Sequence, residues 1–562
     1  MSRSGPGPTA DLIVSGRIAS LDGPVGFGWV EAIAIADRRV VAAGSHAEVD
    51  ALVGPRTRTL ALEPREVAIP GLTDAHLHLA DASISAGQVD LSAEPTLESG
   101  LARIGAAHAR LAEPAAWLLG HGWESDRWGG WPTADALEAV APGGRVALWA
   151  HDHHALWASP TALAAAGVDP ARSDPAGGEI RRDRAGVPTG ILHEAAARLV
   201  SEIVPAPTAD ELAAAIPPLG RSLVALGVVA VHDPGGLSPD PTLSGAYGAY
   251  ARLAERGALP VRVHASLRQE AITSAIERGL RSGVPLGADP HGGARVGCQK
   301  LFADGSLGSR TAALLEPFAH EPDRPLEPGR EHGIFITNPA ELAVFTDRAA
   351  RAGIVSQIHA IGDAALRAAL DALEPHARVG GRAGSGQLRP RVEHVQLVDP
   401  ADLPRFARLG IAASVQPIHL RDDAAQARRL WGARAERSGY PWRSLSESGA
   451  LLPFGTDAPV EPIDPWPGLE VAVTRADRSW PAGTPPFGVA EALDLARALR
   501  AACLDAPRSA GEVDRGRLTA GHRADLVVVS AEAFEEPVAI GGPLATVRPR
   551  LVLMDGQVVF EA

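Results

Sequence analysis

Two histidines near the start of the chain stand at a spacing that suits metal binding. His76 and His78 lie in the segment Pro70–Leu79, just after the apolar run Val67–Ile69. In an extended segment, residues two apart point to the same side, so both imidazoles can face one point. Neutral imidazole is a good ligand for Zn²⁺ and similar ions. Because histidine pairs are also common on surfaces and in cores, this pair predicts a metal site only with support from other ligands.

Further side chains of the same chemical kind recur at later apolar runs. His359, His394 and Asp457 each stand at the end of such a run, and Lys300 lies inside the run Val296–Phe302. Taken alone, each could be a solitary polar residue that caps a strand. Together with the first histidine pair they occupy matching strand positions, and this recurrence favours one shared metal centre.

Lys300 is the only lysine of the chain, since the other basic residues among the 53 are all arginine. A charged side chain in an apolar run costs free energy unless it is paired or chemically changed. An amine can be desolvated, act as a nucleophile, or react with CO₂ to a carbamate, which offers anionic oxygens to metal ions; arginine does none of these. A stray lysine placed by chance is the alternative. Its position among the metal-ligand candidates argues against chance.

The strands and helices predicted around these residues indicate a parallel α/β domain. Between residues 67 and 510, short apolar runs alternate with Ala-, Leu- and Arg-rich helical stretches. Eight such units predict a (β/α)8 TIM-like barrel, with its chemistry at the carboxyl ends of the strands. The long gap after the first strand predicts an α/β insertion at about residues 85–220, forming a lid or pocket wall. The predicted strands are Val67–Ile69, Val228–Val231, Val261–Val263, Val296–Phe302, Gly353–Ile358, Arg391–Glu393, Ile411–Val415 and Leu451–Phe454.

Both ends of the chain have β character. Short strand-like segments occur in residues 1–66 and again in 511–562, where the turn Asp555–Gly556 separates two of them. One small β-sandwich module built from both ends, with the barrel domain between them, is the simplest arrangement. Separate N- and C-terminal β-domains are the alternative.

The motifs around these residues resemble those of the amidohydrolase superfamily, in particular its amidohydrolase 3 branch with the N-substituted formamide deformylase-like enzymes. The resemblance covers nearly the whole chain. One segment departs from it: in Asp152–Leu163, His153 replaces a glycine and Ser159–Pro160 replaces an Asn-Ser pair, which leaves the substrate open. The matching segments are Pro70–Leu79, Gly120–Trp123, Gly186–Glu194, Lys300–Ala312, His359–Asp363, Arg391–His394, Gly455–Val460 and Leu518–Leu526.

The resemblance implies one or two divalent metal ions, with zinc expected. It implies a CO₂-derived carbamate on the lysine as the bridge between two ions. The implied ligands are His76, His78 and Asp457 for one ion, and His359 and His394 for the second, with carbamylated Lys300 between them.

The same resemblance implies catalytic roles for Asp457, His394 and Lys300. A metal-activated hydroxide would attack, while Asp457 would accept the proton and pass it to the leaving nitrogen. The second ion would polarise the scissile carbonyl. A one-metal site, in which His394 is an electrophile and not a ligand, is the alternative.

Four residues are predicted to bind substrate: Trp123, His154, Asp304 and Arg310. Asp304 and Arg310 follow the Lys300 strand. Trp123 belongs to a group of tryptophans in the predicted insertion, which could wall an apolar or aromatic pocket. Packing of an ordinary core explains these tryptophans equally well. Supporting or structural roles are expected for other strand-end residues, namely His232, Asp233 and His264.

The resemblance, together with the candidate ligands, implies a metal-dependent amidohydrolase that cleaves a non-peptide C–N bond in a small amide, an N-substituted formamide or a cyclic amide. A deaminase or another hydrolase on the same metal site is the nearest alternative. A catalytically silent binding protein is a further alternative, although such a protein would be expected to lose ligands, and all the candidate ligands are present.

The composition limits the classes of binding partner and the cellular compartment that we expect for this protein. A formal charge of −14 disfavours nucleic acid as a partner. Two cysteines, Cys298 and Cys503, cannot form a disulfide framework, which predicts a reducing compartment. No apolar stretch reaches the length of a membrane span. We therefore expect a cytoplasmic protein whose partner is a small amide-type substrate, with no membrane partner, and we allow for a homodimer.

Overall fold

The computed structural model describes most of the chain. His154, one of the predicted substrate-binding residues, lies outside the described residues. The chain divides into two compact units, Met1–Ala82 with Leu212–Ala562, and Ser83–Glu211. The described residues are 9–111, 113, 116–125, 127–150, 155–175, 178–194, 196–236, 242–287, 292–308, 310–320, 329–377 and 387–562.

The strands of these ranges are numbered β1 to β21 in chain order. They are Leu12–Ala19 (β1), Trp29–Ala36 (β2), Arg39–Gly44 (β3), Arg58–Ala61 (β4), Glu66–Pro70 (β5), Leu72–Asp74 (β6), Val89–Asp90 (β7), Trp117–Trp123 (β8), Arg145–Ala150 (β9), Ala155–Ala158 (β10), Gly178–Arg182 (β11), Pro188–Glu194 (β12), Val228–Asp233 (β13), Arg262–Arg268 (β14), Ala294–Phe302 (β15), Ser356–Ala360 (β16), Arg391–His394 (β17), Ala412–Ser414 (β18), Leu526–Ser530 (β19), Leu551–Met554 (β20) and Gln557–Glu561 (β21).

Local chemistry sets several helix ends. The side chain of Asn338 accepts the N–H of Glu341 at the start of α10, and the left-handed Gly410 (φ 69°) ends α12. The α-helices are His46–Asp50 (α1), Leu79–Ser85 (α2), Leu97–His108 (α3), Ala134–Val140 (α4), Pro160–Ala165 (α5), Arg198–Ser201 (α6), Ala209–Ala225 (α7), Ala246–Glu255 (α8), Ile272–Glu277 (α9), Pro339–Arg351 (α10), Asp363–Ala377 (α11), Leu403–Leu409 (α12), Leu420–Trp431 (α13), Ala433–Ser438 (α14), Trp442–Glu447 (α15), Trp466–Thr474 (α16), Leu495–Arg500 (α17) and Ala506–Ser509 (α18).

Strands from both ends of the chain join in one sheet, the terminal sheet. Its order is β21–β20–β19–β5–β1–β2–β3, and β4 pairs with β1. β19 pairs antiparallel with β5, where Val527 lies opposite Ile69. The predicted two-layer sandwich stays a prediction. Because successive side chains of a strand point to opposite faces, alternate apolar residues pack together, and these include Val14, Ile18, Ile33, Val528 and Leu553.

One predicted barrel strand belongs to the terminal sheet instead. The sequence places Val67–Ile69 in the barrel, and this prediction is wrong, because these residues form β5. The first strand of the parallel sheet is β6, in which Thr73 lies opposite Ala230 of β13. Gly71 separates the two strands, and a Cβ there would lie 2.7 Å from Cγ2 of Val229. Both runs are short and apolar, so their sequence does not tell which sheet each one joins.

A seven-stranded parallel sheet contains the other predicted strands up to Ile411–Val415. Its order is β6–β13–β14–β15–β16–β17–β18, and each neighbouring pair is parallel. Within the eighth predicted strand, Phe454 makes a single parallel bridge to Val415. The N–H of Ala75, just after β6, donates to the carbonyl oxygen of Phe454 at 2.8 Å. Phe454 thus contacts the chain at both edges of the sheet, an arrangement compatible with an α/β barrel.

The direction of these strands brings the site candidates to one edge of the sheet. Since neighbouring strands are parallel, their carboxyl ends lie on the same side. Lys300 stands two residues before the end of β15, His359 one residue before the end of β16, and His394 is the last residue of β17. The fold therefore places these three residues at the edge where the sequence predicts chemistry.

The unit Ser83–Glu211 has a sheet of its own, of order β11–β12–β10–β9–β8–β7. Its helices α3 and α4 contribute Ile104 and Leu137 to a buried core. Trp123 of β8 and Trp157 of β10 lie in that core, with ring centroids 6.2 Å apart. Aromatic packing thus stabilises this unit.

None of the described helices combines the length and the apolar character needed to cross a lipid bilayer. The longest of them, α7, has 17 residues.

Candidate metal centre

His76 and His78 face the same oxygen of Asp457. Nε2 of each imidazole lies 3.4 Å from Oδ1 of Asp457, and all three side chains are buried. Nδ1 of His78 lies 2.7 Å from the carbonyl oxygen of Gly235, so the carbonyl accepts the Nδ1 proton and Nε2 keeps its lone pair. A tetrahedral zinc ion separates its nitrogen and oxygen ligands by about 3.4 Å, given its usual bond lengths. The spacing of these three side chains therefore fits ligands of one metal ion.

Glu393 and Arg391 hold the ring of His76. Nδ1 of His76 lies 2.6 Å from Oε2 of Glu393, and Nε of Arg391 donates to Oε1 of the same carboxylate at 2.9 Å. Arg391 also donates to the carbonyl oxygen of Ala75 at 2.6 Å. Burial opposes ionisation, but Arg391 and His76 outweigh it and hold the pKa of Glu393 well below its usual range. An ionised Glu393 accepts the Nδ1 proton, which leaves Nε2 of His76 as the metal-facing atom.

The residues present fit a metal ion. Nε2 of His76 is buried and finds no hydrogen-bond partner in the part of the chain that the structure describes. A buried polar atom without a partner costs free energy, so such an atom in a native site calls for an explanation. Burial and the charge of Lys300 lower the pKa of His76 to about 4. The imidazole is therefore neutral at pH 7, which is the form that binds a metal ion.

Asp74 fixes the segment of Asp457 against the end of β6. Its carboxylate accepts the N–H of His76 at 3.1 Å and the hydroxyl of Thr456 at 2.6 Å. The N–H of Asp457 in turn donates to the carbonyl oxygen of His76 at 2.6 Å. Burial raises the pKa of Asp74 to about 7 despite these hydrogen bonds. The distance between the histidine pair and Asp457 is thus set by direct hydrogen bonds.

Lys300 is buried beside this group. Burial lowers the pKa of its amine to about 8, although the carboxylates of Glu393 and Asp457 act in the opposite direction. Its Nζ lies 5.0 Å from the ring centroid of Phe302. The Lys300 ammonium also lowers the pKa of His359, which burial and this charge together bring to about 3. The geometry shows Lys300 near the ligand candidates, while its carbamylation stays a prediction.

His394 lies among the other imidazoles of the site. Its ring centroid is 4.4 Å from that of His359 and 5.1 Å from that of His76. Nε2 of His359 lies 3.0 Å from the carbonyl oxygen of Gly305. His394 (φ 74°) and Asp457 (φ 65°) both have left-handed backbones, which are uncommon outside glycine and cluster at functional sites. The structure thus brings His359 and His394 together, although His359 is not part of the His76–His78–Asp457 group.

His419 is a site residue that the sequence reasoning missed. Its Nε2 lies 3.2 Å from Oδ2 of Asp457, and its Nδ1 lies 3.3 Å from Oε1 of Glu461. Burial lowers its pKa, but the hydrogen bonds that His419 donates to these two carboxylates outweigh burial and raise the pKa to about 10. His419 ends the 3₁₀ turn Pro417–His419 after β18. A search of strand ends alone passes over it, whereas a search of the loop after each strand would have found it.

The three described residues that are predicted to bind substrate have different surroundings. Trp123 lies in the core of its unit, where its Nε1 donates to the carbonyl oxygen of Leu148 at 2.8 Å, so its contacts are those of core packing. Asp304 is buried and accepts the N–H groups of Ala313, Ile361 and Gly362, which organises the loops after β15 and β16. Arg310 is half-buried in the loop after Asp304.

The buried imidazoles and the carboxylate of the candidate metal site lie at the carboxyl edge of a parallel α/β sheet, which is the edge where folds of this type place their functional groups. A sequence model of the amidohydrolase 3 branch, described as the amidohydrolase family, matches residues 66–560. The chain belongs to the amidohydrolase family.

Similar proteins are known in plants, bacteria and archaea. Protein LONG AFTER FAR-RED 3 of Arabidopsis thaliana is 32% identical over 538 residues, covering 94% of this chain and 89% of that protein. The N-substituted formamide deformylase of Arthrobacter pascens is 26% identical over 563 residues, covering 98% of each. A crystal structure of an uncharacterized metal-dependent hydrolase from Pyrococcus furiosus has a TM-score of 0.74 and 26% identity, covering 94% of this chain and 100% of that one. These relatives agree with a metal-dependent hydrolase of the amidohydrolase family.

Proposed function

We propose that this protein hydrolyses a non-peptide C–N bond in a small amide, N-substituted formamide or cyclic amide. The observation that carries the proposal is the pair of Nε2 atoms, of His76 and His78, each 3.4 Å from Oδ1 of Asp457. The similarity to an N-substituted formamide deformylase over nearly the full length of both chains supports the substrate class.

Zinc is the ion that this donor set favours, because imidazole nitrogens and a carboxylate oxygen are its usual ligands in catalytic sites. Bound there, the ion supplies a Lewis acid and lowers the pKa of a water molecule. His76, His78 and Asp457 would hold the first ion. His359 and His394, with a carbamate on Lys300, are proposed as the set for a second ion.

Asp457 is the proposed acid–base group. His76, His419 and His78 hold its pKa well below the usual range even though burial opposes this. The carboxylate is therefore ionised at neutral pH and can take a proton from the attacking water. It then returns that proton to the nitrogen of the scissile bond, so the amine leaves as a neutral group.

Lys300 is proposed to provide an anionic ligand. Its neutral amine would form a bond to the carbon of CO₂ and release one proton, leaving a carbamate. The support is its buried place beside Glu393 and Asp457 in a chain that has arginine at every other basic position.

A small molecule is the proposed partner, and a cytoplasmic location is proposed with it. The net charge of −14 disfavours polyanions such as nucleic acid. Cys298 and Cys503 are both free and buried, as expected in a reducing compartment.

The test is a hydrolysis screen with protein purified in zinc and bicarbonate. Panels of N-substituted formamides, N-acyl amines and cyclic amides are incubated with the native chain and with Asp457→Asn, and the amine and acid products are quantified. We expect turnover of at least one panel by the native chain and a loss of about 100-fold or more in the variant, by analogy with loss of a catalytic proton carrier. A native chain that binds zinc stoichiometrically and turns over no C–N substrate would contradict the proposal.

A further inference from the structure

The side chain of Gln416 is buried without a hydrogen-bond partner. The residue is 3% exposed, and neither its Nε2 nor its Oε1 has a partner among the described residues. Gln396, two residues beyond the end of β17, differs because its Nε2 donates to Asp423 at 3.0 Å. Burying an amide whose two polar atoms both stay unpaired costs free energy. Such a group in a native fold calls for an explanation, and a ligand that pairs with both atoms supplies one.

Ser414, two residues before Gln416, faces the space enclosed by the parallel sheet. Its Oγ accepts Nη2 of Arg391 at 3.0 Å, and Nη1 of Arg391 lies 2.9 Å from Nδ1 of His232. Arg391 belongs to β17 and His232 to β13, and these two strands are not neighbours in the sheet. The guanidinium of Arg391 therefore crosses the enclosed space, and Ser414 points into it.

Gln416 points to the same side as Ser414. The segment between them is extended, because Val415 forms a parallel bridge to Phe454 and Gln416 has φ −120° and ψ 92°. Side chains two residues apart in an extended segment share a side, and two residues advance the chain by about 6–7 Å. Ser414 lies opposite Glu393 in the register of β17 and β18. Gln416 thus faces the enclosed space beyond the level of Glu393, towards the carboxyl edge.

Gln416 adjoins the candidate metal centre. Its carbonyl oxygen accepts the N–H of His419 at 3.1 Å, and Nε2 of His419 lies 3.2 Å from Oδ2 of Asp457. Asp457 is the carboxylate that His76 and His78 both face. The unpaired amide therefore lies where the substrate of a metal-dependent hydrolase must bind.

A primary carboxamide pairs especially well with one arrangement of ligand atoms. Its nitrogen donates to a carbonyl oxygen while its own oxygen accepts an N–H. Both hydrogen bonds form together only when the ligand presents its N–H and C=O on the same side, and such paired bonds add geometric specificity. Amides in small rings are held in this cis arrangement. Open-chain secondary amides prefer the trans form, in which the N–H and the C=O point in opposite directions.

We propose that the side-chain amide of Gln416 binds the substrate and selects a cyclic amide with a free N–H. Nε2 of Gln416 donates to the ring carbonyl, and Oε1 accepts the ring N–H. The carbonyl oxygen keeps a second lone pair for a metal ion. The inference rests on the proposed function, because it chooses one of the substrate classes named there. It makes Gln416 a residue that determines specificity.

Gln416→Met is the decisive variant, because methionine has a similar length and neither polar atom. It should melt no lower than the native chain, since it removes a buried amide that has no partner. Gln416→Asn is the second variant, which keeps the amide but withdraws it by one methylene, and it carries the test if the first variant does not fold. Gln557→Met is the matched control, since Gln557 is an exposed glutamine in β21.

The probes are δ-valerolactam, its N-methyl derivative, which lacks the N–H, and the open-chain N-benzylformamide. Binding of each to the full chain is measured by calorimetry, and hydrolysis by the zinc-loaded chain is measured as kcat/KM. The native chain and Gln557→Met should favour the lactam over its N-methyl derivative by about 100-fold or more, because the methylated ring leaves Oε1 of Gln416 unpaired. In Gln416→Met and Gln416→Asn this ratio should fall to about 10-fold or less. A purely structural role of Gln416 would weaken all three probes alike and keep the ratio.

The outcomes separate this inference from the proposed function. If the native chain and Gln416→Met hydrolyse the probes with the same ratio of lactam to N-methyl lactam, Gln416 does not recognise the substrate, while the proposed function stands. A native chain that prefers N-benzylformamide to the lactam overturns the cyclic class and leaves the hydrolase intact. If the zinc-loaded native chain hydrolyses no C–N substrate, the proposed function is contradicted and the binding ratio alone decides the inference. Absence of lactam binding then overturns the inference as well.

Discussion

Nδ1 of His76 and Oε2 of Glu393 lie 2.6 Å apart, although 317 residues separate them in the chain. We predict that Glu393→Gln weakens binding of the first metal ion about 10- to 100-fold, because the amide no longer stabilises the required tautomer of His76. Zinc affinity by calorimetry is the measurement. Glu447→Gln, which removes an exposed carboxylate paired with Arg443, is the control and should change nothing. Equal affinities in native protein and Glu393→Gln would show that Glu393 does not orient His76.

Lys300→Arg should lose the bound carbamate and the metal ion that depends on it, without unfolding the protein. The guanidinium keeps the positive charge but does not form a carbamate under these conditions. Intact mass measured in bicarbonate under native conditions should show the CO₂ adduct on the native chain only, and elemental analysis should show less metal in the variant. Arg351→Lys, at an exposed site, controls for a change of basic side chain. Near-normal metal content and activity in Lys300→Arg would disprove the carbamate.

Asp525 should make stability depend on pH in acid. It accepts a bidentate pair of hydrogen bonds from Arg262, at 2.9 and 3.1 Å. Burial raises its pKa, but Arg262 and Arg515 outweigh burial and lower it. Because the folded pKa lies below the unfolded value of about 3.9, the unfolded chain binds more protons in acid. The contribution of Asp525 to the free energy of unfolding is therefore fully present above that unfolded value and is lost as the pH drops through the folded pKa.

Asp525→Asn should remove this pH dependence and lower the free energy of unfolding at pH 7 by about 3–5 kcal/mol, the usual cost of breaking a buried ion pair. Denaturant unfolding between acid and neutral pH is the measurement. Asp514→Asn breaks the more exposed pair with Arg39 and should cost less than about 1 kcal/mol. If both variants show the same small decrease in the free energy of unfolding, the buried ion pair contributes no more to stability than a surface ion pair.

Gly71→Ala should destabilise the junction between the terminal sheet and the parallel sheet. The new Cβ would lie 2.7 and 2.9 Å from the two γ-carbons of Val229, whose branched side chain has little freedom to move. We expect a loss of about 1–3 kcal/mol in the free energy of unfolding, as for other overpacked sites. Gly468→Ala in α16 is the control, because a Cβ at this position would meet only ordinary contacts of 3.6 Å or more. This substitution should stabilise the helix by a few tenths of a kcal/mol to about 1 kcal/mol. Equal melting behaviour of the two variants would contradict the steric argument.

The sequence predicts the parts of the site that lie at or just after strand ends. The His-x-His spacing predicts that His76 and His78 face one point, and the structure shows both facing Asp457 from the segment after β6, not from a strand. The expectation that functional side chains lie at the carboxyl ends of strands identifies His394, because β17 ends at that residue. The same logic could not find His419, which belongs to a turn beyond the strand, where no periodicity applies.

The sequence also does not predict which residues from distant parts of the chain contact one another. Nothing in the motif Arg391–His394 tells that Glu393 supports His76, since that pairing depends on how β17 and β6 lie in the folded sheet. The prediction that Val67–Ile69 belongs to the barrel is wrong for a related reason, since these residues form β5 of the terminal sheet. Apolar runs predict that a strand forms, but its neighbours are set by tertiary packing.

The terminal sheet has a consequence for the order in which the chain folds. Arg550 and Glu66 are hydrogen-bonded across a separation of 484 residues, next to the pairing of β19 with β5. The entropic cost of closing a loop rises with its length, so contacts of this kind form late. On a ribosome, β5 emerges long before β19 and has an unpaired edge during most of synthesis. Unpaired strand edges promote aggregation, so the edge of β5 carries this risk until β19 has been synthesised and pairs with it.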